Sequence, residues 1–234
     1  MSKEKFSEIQ QLFRRMSNEI CVVVESYYIW RALTFARSIP EVGQERADKN
    51  AQLMGLYKDF FIPTEHSHLQ VFIIGLMKFF DKNPSALSIR GLICQIQYNK
   101  EDLTVEDLKN AHPHLVGIDA VPKDYLPIKN ETILFVDEIF EKYKELIPKL
   151  KDIRDKEFAH TDIRAYSGTF VPNEIEILIK DIQDIFNRLS NDFDLSATVF
   201  NHLKEDSINN AHFLLETLEK GEEQRREEIR KKYG

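Results

Sequence analysis

The sequence predicts an all-α protein, and three observations point that way. Only 8 glycines and 8 prolines occur among 234 residues, too few for the many turns of an all-β chain. Hydrophobic residues make up 42% and charged residues 30%, which suits a packed core and not a disordered chain. Apolar residues recur at helical spacing along most of the chain, and no segment alternates convincingly as a strand does.

The first amphipathic segment is the clearest element. Its apolar residues follow steps of three and four, which predicts a bundle helix of roughly eight turns that Pro40 ends. We interpret the aromatic residues Tyr27, Tyr28 and Trp30 as core or dimer-interface residues. The apolar stripe consists of Phe6, Ile9, Phe13, Met16, Ile20, Val23, Tyr27 and Trp30.

Three further helices are predicted before residue 100, and prolines set their limits. Pro63 is expected to end one helix, and Pro84 to occupy the first position of another. The expected segments run from Glu41 or Glu45 to Phe61, from about Thr64 to Phe80, and from Pro84 past Ile96.

The second half is predicted to hold a loop-rich connection at about 99–130 and then long helices. Thr104 is expected to form a capping box for a short helix inside that connection. Pro148 either kinks the next helix or marks a new one. These helices are expected from near Lys129, over Pro172 to Phe193, and from near Ser196 to a charged end after Leu218. We predict a helical bundle domain over residues 1–200 and a C-terminal helix with a charged tail over 201–234.

Charge and composition exclude several classes of function. A net charge of −7 excludes a general basic coat for nucleic acid, although a local cationic cleft needs only a few charges. Two cysteines, Cys21 and Cys94, make no disulfide framework, and no Cys/His metal pattern occurs. We therefore expect no metal and no cofactor. No apolar run has the length of a membrane span, so we expect a cytoplasmic protein without a membrane partner.

One segment combines residue types that suit phosphate chemistry. Arg154 and His160 close a predicted helix, with five residues between them. A guanidinium binds phosphate through a fork of N–H groups, and histidine exchanges protons near neutral pH. The spacing alone occurs by chance about once in such a chain. On an α-helix the two side chains point about 120° apart, which favours a cleft shared between two helices.

This segment, Ile153 to Asp162, and the segment from Phe79 to Ile89 resemble the HEPN-domain family of the abortive-infection (Abi-U) type. The resemblance covers about residues 5–200. It implies an antiparallel helical bundle with extra helices that forms a dimer. Many active members of such a family are metal-independent endoribonucleases. Arg154 would then bind the scissile phosphate, and His160 would act on the ribose 2′-hydroxyl. Asp155 and Lys156 would be supporting residues that orient the pair.

The same resemblance implies RNA, possibly tRNA, as substrate, a homodimer, and an antitoxin or nucleotidyltransferase as a possible partner in phage defence or a toxin system. Two alternatives stay open: a non-catalytic HEPN module that binds nucleotide or RNA or scaffolds a protein, and a generic helical interaction protein. In both, Arg154 pairs with a neighbouring carboxylate such as Asp155 or Glu157, and His160 caps the helix. The surrounding lysines would guide RNA or merely form a solvated face.

Overall fold

The computed structural model describes residues 2–113, 125–159 and 171–233. These ranges hold ten α-helices and no strand, which confirms the predicted all-α fold. None of these helices is long and apolar enough to cross a membrane. A 3-10 turn, Lys100–Asp102, and a π-helical turn, Arg154–Ala159, add to the helices. The helices are α1 Ser2–Phe35, α2 Ile39–Val42, α3 Gln44–Leu56, α4 Lys58–Phe79, α5 Ile89–Tyr98, α6 Val105–Ala111, α7 Asn130–Lys142, α8 Leu146–Ile153, α9 Pro172–Asp194 and α10 Asn201–Tyr233.

The chain forms two compact units. Unit 1 comprises Met1–Cys21 and Ile73–Val199, and unit 2 comprises Val22–Phe72 and Phe200–Gly234. Helices α1 and α4 therefore contribute residues to both. The predicted division between domains of residues 1–200 and 201–234 stays a prediction.

Stacked phenylalanines form the centre of unit 1. The ring of Phe193 in α9 stacks on Phe6 at 4.6 Å and on Phe13 at 5.0 Å between centroids, and Phe186 meets Phe13 edge-on. All four side chains are buried. Such pairs add to the free energy gained by burying the rings, so the first turns of α1 are fixed against α9.

The core of unit 2 joins α1, α3, α4 and α10. Tyr27 is fully buried and its ring lies 5.0 Å from that of Phe72, as expected for a core aromatic. Polar contacts continue the packing toward the chain end, where Arg46 pairs with Glu219 and the Tyr57 hydroxyl donates to Glu222, each at 2.6 Å. The buried cluster consists of Ala32, Leu33, Ala36, Leu53, Met54, Phe61, Ala211 and Leu215.

The expectation that Pro63 ends a helix is wrong. The break falls earlier, at Tyr57, and α4 continues through Pro63 to Phe79. Pro63 is the sixth residue of this helix, so it has no N–H to donate to the carbonyl of Asp59, four residues earlier. The hydroxyl of the next residue, Thr64, donates to the carbonyl of Phe60 at 2.6 Å.

Pro84 does not begin a helix either. It lies in a turn from Asp81 to Ser88, and α5 starts at Ile89. Side chains hold this turn, because Asp81 accepts from the backbone N–H of Asn83 and Asn83 accepts from that of Ser85. Such Asx contacts compete with helix formation. Ser88 then caps α5 by accepting from the N–H of Gly91.

The predicted capping box at Thr104 is confirmed, with Asp107 as its second member. Of the predicted connection at about 99–130, residues 114–124 lie outside the described residues. Beyond it, α7 ends at Lys142 and α8 begins at Leu146, so Pro148 lies in the first turn of a new helix.

The last helix begins and ends later than expected. Leu195 adopts a left-handed conformation that ends α9, and the Ser196 hydroxyl bonds to Asp194 and Ser190 instead of capping a new helix. Helix α10 therefore begins at Asn201, and it continues past the expected end at Leu218 to Tyr233. Paired charges such as Glu222 and Arg225 stabilise this polar end.

Two glycines give a matched test of how closely α5 packs against the turn from Asp81 to Ser88. A Cβ on Gly91 would lie 2.1 Å from the carbonyl oxygen of Ala86, whereas a Cβ on Gly55 in α3 would meet nothing within 4 Å. We expect Gly91→Ala to lower the free energy of unfolding by about 1–3 kcal/mol through overpacking. Gly55→Ala should leave it unchanged or raise it by up to about 1 kcal/mol. Urea unfolding measures both, and equal effects would contradict the close contact.

Candidate functional site

A surface cavity of about 530 Å³ in unit 1 brings together the two segments that were singled out in the sequence. One wall is the end of α4 with the start of the following turn, and the other is α8 with the π-helical turn. The lining residues of the two walls are at least 65 positions apart in the chain, so only the fold joins them. The lining residues are Met77, Phe80, Asp81, Lys82, Ile147, Pro148, Lys151 and Arg154.

The cavity is cationic in an acidic protein. Lys82, Lys151 and Arg154 line it, against one carboxylate, Asp81. Neither lysine forms an ion pair with a described residue. Three cations around one concave surface attract anions more strongly than the net charge suggests. The apolar wall, with Met77 and Phe80 buried, keeps part of the cavity dry and strengthens this attraction.

Arg154 is partly exposed and is held by its chain neighbour. Its Nε and Nη2 both donate to Oδ1 of Asp155, at 2.8 and 2.6 Å. The two side chains are 32% and 39% exposed, so the pair is not a buried ion pair and contributes little to folding stability. One edge of the guanidinium is therefore occupied, and the pair sits where solvent or a ligand reaches it.

The turn that carries Arg154 has π-helical geometry, Arg154–Ala159. The 120° separation between Arg154 and His160, which was expected for an α-helix, stays a prediction. Short π segments within helices occur often at functional sites. Lys156 pairs with Asp152 one turn back at 3.3 Å. His160 lies outside the described residues.

Helix α8 is positioned at its start by Tyr143 and Asp181. The Tyr143 hydroxyl and the Lys142 Nζ both donate to Asp181 Oδ2 of α9, each at 2.7 Å. Burial, with the hydrogen bond to Asp181 as a second cause, raises the pKa of Tyr143 to about 12. This contact fixes the break between α7 and α8 and with it the direction of the helix that carries Lys151.

A cation and two tilted aromatic rings support the wall of the cavity at the end of α4. The guanidinium of Arg90 lies 4.8 Å from the ring centroid of Phe140 and pairs with Asp137. The Phe140 ring lies 5.1 Å from that of Phe80, which lines the cavity. The end of α4 is thereby packed against α7.

A HEPN family model described as AbiU2 matches residues 6–214. The chain belongs to this AbiU2 family of HEPN proteins. No curated protein and no solved structure matches the chain. The AbiU2 match covers both walls of the cavity and most of the described helices.

The sequence interpretation assigned no specific site role to two residues of this AbiU2 cavity. Lys82 lay inside the quoted Phe79–Ile89 segment, and Lys151 precedes Arg154 by three positions, which places them on one helix face. Helical spacing was thus a usable signal for Lys151. No such signal exists for Lys82, because its place in the cavity depends on the turn. No group of three or more His, Cys, Asp or Glu side chains within residues 2–113, 125–159 and 171–233 is arranged to hold a metal ion.

The raised pKa of Tyr143 predicts a pH-dependent contribution to stability. Its neutral form is favoured in the folded state, so the contribution is fully present below the unfolded pKa of about 10 and is lost as pH rises toward 12. The difference in unfolding free energy between wild type and Tyr143→Phe should therefore shrink between pH 10 and 12. Urea unfolding across this range measures it. A difference that does not change with pH would contradict the assignment.

Proposed function

We propose that this HEPN protein is a metal-independent endoribonuclease that acts in phage defence or as a toxin, with Arg154 and His160 as catalytic residues. The supporting observation is the cationic cavity in which Lys82 and Lys151 join Arg154. A ribonuclease must hold a phosphodiester that is negatively charged and gains charge in the transition state. A concave cluster of cations is suited to that task.

Arg154 is the residue that binds the scissile phosphate. Asp155 must give up the Nε and Nη2 edge that it holds in the free protein, or the phosphate must use the remaining N–H groups. Because this ion pair is exposed, exchanging a carboxylate for a phosphate costs little. Asp155 thus orients the guanidinium before substrate binds, and Lys156, tied to Asp152, supports the turn.

His160 activates the ribose. It removes the proton from the 2′-hydroxyl, whose oxygen attacks the adjacent phosphorus. The bond from phosphorus to the 5′-oxygen breaks, and that oxygen takes up a proton from an imidazolium or from water. The products are a 2′,3′-cyclic phosphate and a 5′-hydroxyl end. The proton that histidine takes from the 2′-hydroxyl balances the one that the 5′-oxygen gains, and no electrons are transferred. The reaction therefore needs no group beyond histidine and arginine.

The proposal includes a homodimer in which each subunit contributes an Arg154 and a His160 to a shared cleft. Two such pairs supply both a base for the 2′-hydroxyl and an acid for the 5′-oxygen. RNA, tRNA included, is the proposed substrate, which implies a cytoplasmic location. An antitoxin or a nucleotidyltransferase is the proposed kind of partner that restrains the activity.

A second candidate function is a non-catalytic RNA- or nucleotide-binding module, or a protein scaffold. It is favoured by one observation, the engagement of Arg154 with Asp155. In that case the pair stabilises the π-helical turn, and the cavity binds a phosphate without breaking it.

Cleavage of RNA in excess EDTA separates the two functions. We expect the wild type to cut total RNA or tRNA into discrete fragments with cyclic-phosphate ends. Arg154→Ala should slow cleavage by about 10²-fold or more, because it removes a donor that stabilises charge in the transition state. His160→Ala should do the same, since a positioned acid or base contributes about 10²–10⁴. Gel analysis with end-group mapping measures this.

Arg14→Ala and His202→Ala are the matched controls, because both side chains are exposed and lie outside the cavity. They should cleave as the wild type does. Binding of RNA without cleavage by the wild type would contradict the ribonuclease and favour the binding module. Unchanged cleavage in His160→Ala would remove that residue from the mechanism.

A further inference from the structure

A second cavity of about 480 Å³ lies in unit 1, between α1, α5 and the turn that precedes α5. Its volume is within the range of small-ligand sites, about 300–1,000 Å³. The turn from Asp81 to Ser88 separates it from the Arg154 cavity. Lys82 lines the Arg154 cavity, and Pro84 to Leu87 line the second one. Two residues of chain span at most about 7 Å, so the backbone of Lys82 lies within that distance of the nearest backbone that lines the second cavity.

The floor of the second cavity is apolar and its sides carry amides. Ile9 and Leu92 are buried at the floor. The side chains of Gln11 and Gln95 stand at the sides and are exposed. Apolar side chains together with groups that both donate and accept hydrogen bonds suit a nucleobase, which has apolar faces and a polar edge.

Asn99, which also lines the cavity, adds a hydrogen-bond acceptor that solvent reaches. Its side chain is 8% exposed, and Nδ2 donates to the carbonyl oxygen of Gln95 at 2.7 Å. A carbonyl only accepts, so the amide orientation is fixed and Oδ1 is the atom left over. Within the described part of the chain, Oδ1 receives no hydrogen bond. An acceptor in a cavity wall without a donor is suited to the amino or imino N–H of a base.

The rim supplies an aromatic ring and a cation. Tyr98 lines the cavity with 88% of its surface exposed. Arg15 is also on the rim and forms no ion pair with a described residue, whereas Lys5 is bound to Glu8 at 2.8 Å. An exposed tyrosine and an unpaired arginine that line one cavity are residue types that stack a base and contact its phosphate.

We propose that this cavity binds one nucleobase of an RNA strand whose neighbouring phosphate occupies the Arg154 cavity. This inference rests on the proposed function, which supplies RNA as the substrate strand. The turn from Asp81 to Ser88 then lies between base and phosphate, with Tyr98 as the stacking residue, Asn99 as the acceptor and Arg15 as a phosphate contact. A free nucleotide offers the same chemistry, and the test separates it from a strand.

The test is equilibrium binding, measured by fluorescence anisotropy with a labelled 2′-O-methyl oligoribonucleotide. This probe lacks the nucleophilic hydroxyl and is not cleaved. Tyr98→Ala should weaken binding about tenfold, as expected for the loss of one stacked base. Tyr98→Phe should stay within about twofold of wild type, because the ring remains. An abasic strand with the same phosphates should bind weakly to wild type and Tyr98→Ala alike.

Arg15→Gln should reduce the slope of log affinity against log salt by about 0.7, the value for one phosphate contact on a single strand. Lys180→Gln, an exposed lysine of α9 outside both cavities, is the matched control and should leave the slope unchanged. An unchanged slope in Arg15→Gln would remove that residue from the phosphate contact.

The outcomes separate this inference from the ribonuclease. Tyr98-dependent binding without any cleavage in EDTA would support the nucleobase-binding cavity and contradict the proposed ribonuclease activity. Cleavage together with equal binding by wild type and Tyr98→Ala keeps the enzyme and overturns the base cavity. Tyr98-dependent binding of AMP, GMP, CMP or UMP, without such binding of the strand, would assign the cavity to free nucleotides. It would overturn the proposal that the ligand is an RNA strand. No Tyr98-dependent binding of any probe overturns the nucleobase site.

Discussion

The close approach of Gly91 to the carbonyl of Ala86 is the constraint on which both cavities depend. No residue with a Cβ fits at position 91 without moving the backbone of the preceding turn. That turn carries Lys82 into one cavity and Pro84 to Leu87 into the other. A small shift of the turn would therefore alter a charged cavity and a mixed apolar and polar one together. Asx contacts from Asp81 and Asn83 hold the turn from within.

The Arg154 cavity is locally positive in a protein of negative net charge. The chain has a net charge of −7, yet the cavity gathers three cations around one carboxylate. Like charges repel, so an arrangement of this kind lowers folding stability and is retained where it serves binding. Asp155 reduces the repulsion by engaging Arg154 in the free protein. The same contact keeps the guanidinium in place for an incoming phosphate, which links the resting state to the proposed function.

The sequence predicted what depends on local pattern. The stripe from Phe6 onward lies in one long helix, and Thr104 caps α6, because periodicity and capping are decided by neighbours in the chain. Prolines misled the prediction twice. Pro63 lies inside α4 without ending it, and Pro84 lies in a turn held by Asp81, so tertiary context and side-chain contacts overrode the local rule. The cavity could not be predicted from local pattern, because Lys82 follows α4, Arg154 follows α8, and only the folded chain brings both to one cavity.

The most direct test of the shared cationic cavity is a double-mutant cycle on oligonucleotide binding with Lys82→Gln and Arg154→Gln. Two residues that contact one phosphate should show a coupling free energy of about 0.5–3 kcal/mol, whereas distant residues add within about 0.5 kcal/mol. A cycle of Lys82→Gln with Lys180→Gln supplies the uncoupled reference. Coupling between Lys82 and Arg154 above that reference is the predicted result. Additive effects would show that the two segments act on separate sites, which contradicts a common phosphate-binding cavity.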